Sequence, residues 1–337
     1  MTAAASTSMS QPVRIAINGF GRIGRSILRM LQSTRAGEGF EVVLINDIAP
    51  LESCAYLFAY DSVFGPYPGE VSHAEGELRV DGQMFPFHGV ADIGALDLSQ
   101  VDVLLECTGA AGNRATAMRG LEAGAKAVLI SGPSEAADKT VVLGANEADI
   151  ADHKIISNAS CTTNALAPLL KLLDEGWGVE SGHMTTVHCY TGSQPTIDTP
   201  RGDLVRSRAA ALSMVPTTTS AARLIGDVLP SLAGRIEARA VRVPTASVSA
   251  IDLALQLREP AEVEAVNEAL EGAAESPLFG YITGPLVSTD LRMRPESIIM
   301  SGRETSVSVG GLLRVFGWYD NEWGFSNRML DMAALMA

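Results

Sequence analysis

One cysteine lies among small polar residues where an apolar run gives way to a helical one. In the stretch SNASCTTN, Cys161 follows Ser160 and precedes Thr162 and Thr163, which are typical cap and first-turn residues of a helix. A thiol with an ordinary pKa of about 8.5 is only a few per cent thiolate at neutral pH, so catalysis needs a helix N-terminus or a nearby imidazole. The predicted junction supplies the first of these.

A histidine that could act as a base ends a predicted strand. The chain has five histidines, and His188 closes the segment MTTVH, where its side chain can project into a cleft. A positioned general base contributes on the order of 10²–10⁴ in rate. However, a lone cysteine is more often buried than reactive, and a lone histidine is more often structural. Residue chemistry alone therefore leaves two interpretations of Cys161 and His188 open, a nucleophile with its base or packing.

The other three cysteines are expected to be core residues. Cys189 follows His188 and so faces the opposite side of its strand, and Cys54 and Cys107 lie in apolar segments. None of the four cysteines forms a CxxC pair, which favours free thiols in a reducing compartment. No group of histidines, cysteines and carboxylates has metal-ligand spacing, so no metal is expected.

A glycine-rich loop near the start of the chain predicts a dinucleotide site. NGFGRIGR follows a predicted strand and opens a predicted helix, an arrangement that offers free N–H groups to a pyrophosphate. The next strand ends in Asp47, about twenty residues on, where a carboxylate accepts hydrogen bonds from an adenosine ribose. Asp47 would repel a 2′-phosphate, which favours NAD over NADP. A glycine turn beside a solvent-exposed aspartate is the alternative. The predicted cofactor-binding loop residues are Gly19, Phe20, Gly21, Arg22, Ile23 and Gly24.

The elements that must position these residues fall into two groups. From Val13 onward, short apolar runs, including VVLG at Val141–Gly144, alternate with helical stretches, which indicates a parallel sheet covered on both faces. After Cys161, longer and partly alternating segments indicate antiparallel strands against helices. We therefore expect an α/β protein with a Rossmann-type doubly wound parallel sheet and an α+β catalytic domain whose sheet is mainly antiparallel.

The expected organisation is a short leader and two domains. Residues 1–11 are predicted to be a disordered leader, because they lack both the apolar core of a signal peptide and the arginines of a transit peptide. Residues 12–160 are predicted to bind NAD, with a C-terminal helix at about 322–337 packed back on them. Residues 161–321 are predicted to form the catalytic domain.

Bulk composition excludes several classes of function. The chain has 337 residues, 47% of them hydrophobic, and a formal net charge of −14. An acidic surface disfavours nucleic acid and anionic membrane as partners. No apolar run approaches the roughly 20 residues that span a bilayer. We expect a cytoplasmic protein.

Together the motifs resemble those of phosphorylating glyceraldehyde-3-phosphate dehydrogenases. The resemblance rests on NGFGRIGR, SNASCTTN, HCYTGSQ, RAAALSMVPTTTSAA, RVPT and WYDNEWGFSNR, which occur in the family's order from about Val13 to the C-terminal helix. It implies NAD-dependent oxidation of glyceraldehyde 3-phosphate with inorganic phosphate to 1,3-bisphosphoglycerate, a reaction of glycolysis and gluconeogenesis. It also implies a homotetramer, because the polar segment 198–219 resembles the family's loop that lies across subunits.

The resemblance assigns roles to individual residues. Cys161 matches the nucleophile that forms a thiohemiacetal and then a thioester, and His188 matches its base, which also supports the developing oxyanion. Asn321 matches the residue that holds the nicotinamide carboxamide, and Pro200 matches a position associated with NAD. The residues matching the phosphate sites are Thr191 and Arg242 for the substrate's own phosphate, Ser160, Arg206 and Thr219 for the attacking phosphate, and Thr162 and Ser220 beside them.

Departures from the family pattern concentrate at the phosphate sites. Ser193 replaces a usual aspartate, and Ser220 replaces a usual glycine. Val205 replaces the first of two arginines, Ala165 replaces a second cysteine, and Ala111 replaces an aromatic residue. The residues for hydride transfer are intact, so these changes bear on the preferred aldehyde and on phosphate use.

Two other functions remain open. The segments KLLDEGWGVESG and NEWGFSNRMLDM are similar to erythrose-4-phosphate dehydrogenases, whereas the Tyr-Thr pair of HCYT favours glyceraldehyde 3-phosphate. A binding or regulatory protein on the same fold is the second alternative. The intact Cys161, His188 and Asn321 argue against lost catalysis.

Overall fold

The computed structural model describes residues 11–151 and 153–337. These residues form two compact units: residues 11–138, 153–157 and 329–337 make up the first unit, and residues 139–151 and 158–328 make up the second. The predicted leader, residues 1–11, lies outside the described residues except for Gln11. Within the described ranges, no helix combines the length and apolarity needed to cross a membrane.

Helices and strands alternate in the first unit, and longer strands dominate the second. The helices are α1 (Arg22–Leu31), α2 (Leu51–Ala59), α3 (Arg114–Glu122), α4 (Cys161–Trp177), α5 (Ala221–Val228), α6 (Val263–Ala273) and α7 (Trp323–Met336). The strands are β1 (Val13–Asn18), β2 (Phe40–Asn46), β3 (Val71–Ala74), β4 (Glu77–Val80), β5 (Gln83–His88), β6 (Val103–Glu106), β7 (Ala127–Ile130), β8 (Lys139–Thr140), β9 (Ile155–Ser157), β10 (Val179–Cys189), β11 (Val215–Thr217), β12 (Ile236–Val243), β13 (Ser249–Leu257), β14 (Phe279–Ile282), β15 (Ile298–Ser301), β16 (Ser306–Val307) and β17 (Leu313–Tyr319).

The sheet of the first unit is parallel over most of its width. Its strands lie in the order β3-β4-β5-β2-β1-β6-β7-β9, and every pairing from β5 to β9 is parallel. The central strands β6 and β7 are buried at every position, as expected when helices cover both faces. The chain reverses its direction of travel across the sheet at β1, which lies between β2 and β6. The predicted doubly wound sheet is confirmed.

The sheet of the second unit is mainly antiparallel. Its strands lie in the order β11-β12-β10-β13-β17-β15-β14, with β16 paired to β17. The pairs β10–β12 and β14–β15 are parallel, and the other pairs are antiparallel. Helix α4 buries its apolar face in the core formed with this sheet. The predicted α+β architecture is confirmed.

One predicted strand is wrong. The run Val141–Gly144 has the composition of a buried strand, and both of its valines are fully buried, but it forms a turn. The Asn146 side chain accepts the Val142 N–H at 2.9 Å and donates to the Thr140 carbonyl at 3.0 Å. These bonds satisfy the Val142 N–H and the Thr140 carbonyl locally, so the valines are buried without a partner strand.

Candidate active site

A cavity opens at the carboxyl ends of β1, β2 and β6 in the first unit. Its volume is about 440 Å³, and its lining includes Gly19, Gly21, Asp47, Glu106, Thr108 and Arg119. Ligands of open α/β sheets bind where the strand order reverses, and this cavity lies at that position.

The start of α1 offers unused hydrogen-bond donors to the cavity. Gly21 is the N-cap residue, and no side chain caps the helix, so the first N–H groups and the helix dipole favour a phosphate. Gly19 has φ of +96°, and a Cβ there would lie 2.6 Å from the Cys107 carbonyl carbon. By contrast, a Cβ on Gly21 would meet no protein atom within 4 Å. The backbone at Gly21 therefore leaves room for a ligand to approach closely.

Asp47 joins the loop to the end of β2. One of its carboxylate oxygens accepts the Phe20 N–H at 2.6 Å, and the other accepts the Ala49 N–H at 2.8 Å. Each carboxylate oxygen has a second lone pair, and Asp47 lines the cavity. The carboxylate thus fits the two ribose hydroxyls of NAD and is unsuited to a 2′-phosphate.

The other predicted loop residues do not line this cavity. The Phe20 ring is buried against Phe58 and Phe87, and Arg22 forms an ion pair with Asp61. Ile23 and Gly24 lie inside α1, where a Cβ on Gly24 would overlap the Gly19 carbonyl oxygen. These four residues shape the loop, while Gly19 and Gly21 line the cavity.

A buried polar network ties together the strand ends beneath the cavity. The Asn18 amide donates to Glu106 at 2.5 Å and accepts from Asn46 at 2.8 Å. Asn46 in turn exchanges two hydrogen bonds of 3.0 Å with the main chain of Val90. Glu106 also accepts the Thr108 N–H at 2.9 Å. The network fixes the relative positions of β1, β2 and β6.

In the second unit, Cys161 and His188 lie in contact, the two residues that the resemblance pairs. Cys161 is the first residue of α4, and the Ser160 hydroxyl caps this helix by accepting the Thr163 N–H at 3.1 Å. The Cys161 Sγ lies 3.7 Å from the His188 Nε2. Burial raises the pKa of the Cys161 thiol, while the charge of Arg242 and hydrogen bonds from Thr162 lower it. Burial outweighs these two effects, so the pKa of Cys161 lies above its ordinary value and the thiol needs His188 as a proton acceptor.

His188 is held by two partners that favour opposite tautomers. Its Nδ1 lies 2.7 Å from the Cys189 carbonyl oxygen, which favours a proton on Nδ1. It also lies 2.6 Å from the Arg242 Nη1, which can only donate and so favours a bare Nδ1. Burial and the charge of Arg242 lower the pKa of His188 to about 4. His188 is therefore neutral at pH 7 while Arg242 stays beside it.

Arg242 also lines a small cavity, and a second arginine, Arg206, lines the same cavity. The cavity has a volume of about 100 Å³, and its lining includes Ser193, Gln194, Arg206, Thr217 and Arg242. The Arg206 guanidinium donates to the hydroxyls of Thr217 and Thr218 at 2.7 and 3.0 Å. The resemblance assigns Arg206 and Arg242 to different phosphates, whereas both residues line one cavity. Two guanidinium groups with neighbouring hydroxyls suit a phosphate ester.

The remaining predicted phosphate residues have other contacts. Thr191 lies beside this cavity through its hydroxyl, 2.9 Å from that of Ser193. Thr162 is buried, and its hydroxyl lies 2.9 Å from that of Tyr319. Thr219 accepts the Ala221 N–H at 3.2 Å, and Ser220 is the N-cap residue of α5 without a side-chain cap bond. These contacts place Thr219 and Ser220 at the start of a helix.

Asn321 has two hydrogen-bond partners that the sequence did not predict. The Asn321 side-chain oxygen accepts from the Cys189 thiol at 3.1 Å and from the Ser249 hydroxyl at 3.2 Å. Cys189 is buried as predicted, but it is also a hydrogen-bond donor. No sequence signal connects Ser249 to Asn321, because 72 residues separate them.

Comparisons with known proteins agree with this arrangement. A family model described as the glyceraldehyde 3-phosphate dehydrogenase NAD binding domain matches residues 13–114, and the C-terminal domain model of the same family matches residues 160–321. The chain belongs to the glyceraldehyde-3-phosphate dehydrogenase family. The resemblance seen in the motifs is confirmed.

Relatives match the chain over nearly its whole length. A glyceraldehyde-3-phosphate dehydrogenase of Xanthobacter flavus is 47% identical over 331 residues, which cover 96% of this chain and 98% of the relative. The enzymes so named from Pseudomonas aeruginosa and Cereibacter sphaeroides are 47% and 45% identical with the same coverage. As a member of the glyceraldehyde-3-phosphate dehydrogenase family, the chain is an NAD-dependent oxidoreductase. The names of these relatives do not favour the erythrose 4-phosphate alternative.

Two glycine substitutions are expected to separate folding from cofactor binding. Gly24→Ala places a methyl group against the Gly19 carbonyl and should lower the free energy of unfolding by about 1–3 kcal/mol. Gly21→Ala places its methyl group in open space beside the cavity, so the free energy of unfolding should fall by less than in Gly24→Ala, by about 1 kcal/mol or less for alanine at an N-cap. NAD binding should weaken by roughly tenfold or more, because the backbone can no longer approach the pyrophosphate. Thermal unfolding and NAD titration measure the two effects, and equal destabilisation by both variants would contradict this account.

The pH dependence of Cys161 alkylation tests the role of Arg242. A positive charge favours the thiolate, so Arg242→Gln should raise the pKa of Cys161 and move the rise of alkylation with pH to higher pH. Iodoacetamide labelling, with the modified peptide identified by mass spectrometry, measures this. Arg239→Gln is the control, because Arg239 lies on the same strand, is exposed and pairs with Glu237. A profile that is unchanged in Arg242→Gln would show that the charge does not act on the thiol.

Proposed function

We propose that this chain oxidises glyceraldehyde 3-phosphate to 1,3-bisphosphoglycerate, with NAD as the oxidant and inorganic phosphate as the second substrate. The observation that carries the proposal is the contact of Cys161 with His188 at the start of α4, beside a cavity lined by two arginines. The thiol supplies the nucleophile, and the arginines supply donors for the two phosphate groups of the reaction. The activity named for the relatives supports the same substrate.

Cys161 forms the covalent bond to the substrate. Its thiolate attacks the aldehyde carbon and gives a thiohemiacetal. The N-terminus of α4 and the charge of Arg242 stabilise the thiolate. Burial raises the pKa of all four cysteines, to about 11 for Cys54 and about 12 for Cys107 and Cys189, and Cys161 is the one whose thiol contacts the His188 Nε2.

His188 removes the proton of the thiohemiacetal hydroxyl. Its Nε2 faces Cys161, and it can accept a proton only when the ring proton lies on Nδ1, donated to the Cys189 carbonyl. A substrate phosphate that engages Arg242 withdraws the competing donor from Nδ1 and offsets the charge that lowers the pKa of His188. Substrate binding therefore turns His188 into a better base. Bound NAD supplies the hydride acceptor, and the residues that would hold it are Gly19, Gly21, Asp47 and Asn321.

Inorganic phosphate completes the reaction. Its oxygen attacks the thioester carbon, the Cys161 thiolate leaves, and the acyl phosphate is released. We assign Thr191 and Arg242 to the substrate's phosphate and Ser160, Arg206 and Thr219 to the attacking phosphate. Because the net charge of the chain is −14, these local donors must attract both anions against the overall field.

We also propose a homotetramer in the cytoplasm. The segment that contains Leu204 and Leu212 exposes several apolar side chains, and these two leucines are 84% and 83% exposed. Exposed apolar patches of this kind mark protein–protein contacts. All four cysteines are free thiols, which is typical of a reducing compartment.

The nucleophile is tested by Cys161→Ser. The variant should lose nearly all NADH formation with glyceraldehyde 3-phosphate and phosphate, because a serine hydroxyl is not ionised beside His188. NAD binding should be unchanged. NADH absorbance and NAD titration measure the two properties, and Cys54→Ser serves as the control. Retained turnover in Cys161→Ser would exclude the assignment, and a higher kcat/KM for erythrose 4-phosphate in the wild type would overturn the substrate.

The oligomer is tested by charging the exposed segment. Leu204→Glu combined with Leu212→Glu should shift the mass in solution below that of the tetramer, because burying two carboxylates opposes association. Analytical ultracentrifugation measures the mass. Leu335→Glu, at an exposed position of α7, should leave the mass unchanged. A wild type that is monomeric at micromolar concentration would exclude the tetramer.

A further inference from the structure

Three buried side chains form a closed hydrogen-bonded cluster in the second unit. Cys189 ends β10, Ser249 begins β13, and Asn321 follows β17, and all three are less than a tenth exposed. The Cys189 thiol and the Ser249 hydroxyl both donate to the Asn321 side-chain oxygen, at 3.1 and 3.2 Å. The Ser249 oxygen accepts the Cys189 N–H at 3.2 Å. We call these three residues the amide clamp.

The amide clamp determines which end of the Asn321 amide is left for a ligand. Its oxygen has two lone pairs, and both have donors. Among the described residues, no hydrogen bond uses the side-chain nitrogen of Asn321. A flipped amide would direct its N–H groups at the thiol and at a hydroxyl oxygen that already accepts a main-chain N–H. The flip would leave the Ser249 hydroxyl proton and the Cys189 thiol proton without their present acceptor, and it would replace the thiol bond with a contact to sulfur, a weak acceptor.

The Cys189 thiol is suited to act as a permanent donor. Burial raises its pKa to about 12, so it keeps its proton throughout the pH range in which the enzyme would work. Its position beside His188 also means that one strand end supplies both the base and the donor to Asn321. The carbonyl that contacts the His188 ring belongs to the main chain and is retained in any Cys189 variant.

We propose that Cys189 and Ser249 are positioning residues that lock the Asn321 amide with its NH₂ group presented to the nicotinamide carboxamide oxygen. This rests on the proposed function, in which Asn321 holds the carboxamide. The amide clamp removes the choice between two amide orientations before NAD arrives. The bound ring is then held in one orientation at no further ordering cost.

The test compares NAD with ADP-ribose, which lacks the nicotinamide ring but keeps the adenosine and pyrophosphate. Calorimetric titration of the full-length protein gives a Kd for each ligand. The ratio of the Kd for ADP-ribose to the Kd for NAD isolates the contribution of the nicotinamide ring. Cys189→Ala and Ser249→Ala should each weaken NAD binding by roughly two- to tenfold, the effect of one hydrogen bond. ADP-ribose binding should be unchanged. Cys189→Ser, which restores a donor, should recover much of the ratio.

Two further variants serve as a control for the loss of a buried thiol and as a direct test of Asn321. Cys54→Ala removes a buried thiol of the first unit and should leave the ratio unchanged. Asn321→Ala should lower the ratio at least as far as either clamp variant. If Asn321→Ala lowers it while Cys189→Ala and Ser249→Ala do not, or if these two weaken both ligands equally, the clamp is overturned and the role of Asn321 stands. If Asn321→Ala also leaves the ratio unchanged, the role assigned to Asn321 in the proposed function is overturned together with the clamp.

Discussion

The contact between Cys161 and His188 depends on one buried hydroxyl group. The Tyr319 hydroxyl lies 2.9 Å from that of Thr162, at the start of α4, and 2.8 Å from that of Thr186, two residues before His188 on β10. The tyrosine thereby joins the helix that carries Cys161 to the strand that carries His188. Because 27 residues separate Cys161 from His188, only such tertiary contacts can hold their side chains 3.7 Å apart. The Tyr319 ring also packs edge-on against His188 and restricts its rotation.

In the proposed function, Arg242 links the chemistry of the thiol to recognition of the substrate. Burial raises the pKa of Cys161 and lowers that of His188, and the charge of Arg242 opposes the first shift and adds to the second. A substrate phosphate that binds this arginine changes both effects at once. In that proposal, a single cation at the edge of a small cavity weakens the base until a phosphorylated aldehyde binds.

The two units build their sites from different groups, the first from the backbone and the second from side chains. The first unit presents backbone N–H groups and a carboxylate at a sheet edge, and the network of Asn18, Asn46 and Glu106 holds three strand ends in register beneath them. The second unit orients individual side chains, through caps, the Tyr319 hydroxyl and the amide clamp. Dinucleotide binding is thus mostly a property of backbone geometry, whereas thiol chemistry depends on side-chain partners.

The sequence by itself determined the features that are local. Apolar runs and glycine spacing predicted both sheets and the loop before α1, and the polar residues of SNASCTTN predicted the cap of α4, because strands, turns and caps depend on neighbouring residues. The same local reasoning failed at Val141–Gly144, where the Asn146 side chain replaced a strand partner. It could not decide whether Cys161 was reactive. Tertiary structure decided the meeting of Cys161, His188 and Arg242, the shared cavity of the two arginines, and the pairing of Cys189 and Ser249 with Asn321. These contacts join residues from separate strands and helices, and their distances are fixed by sheet order and packing rather than by spacing along the chain.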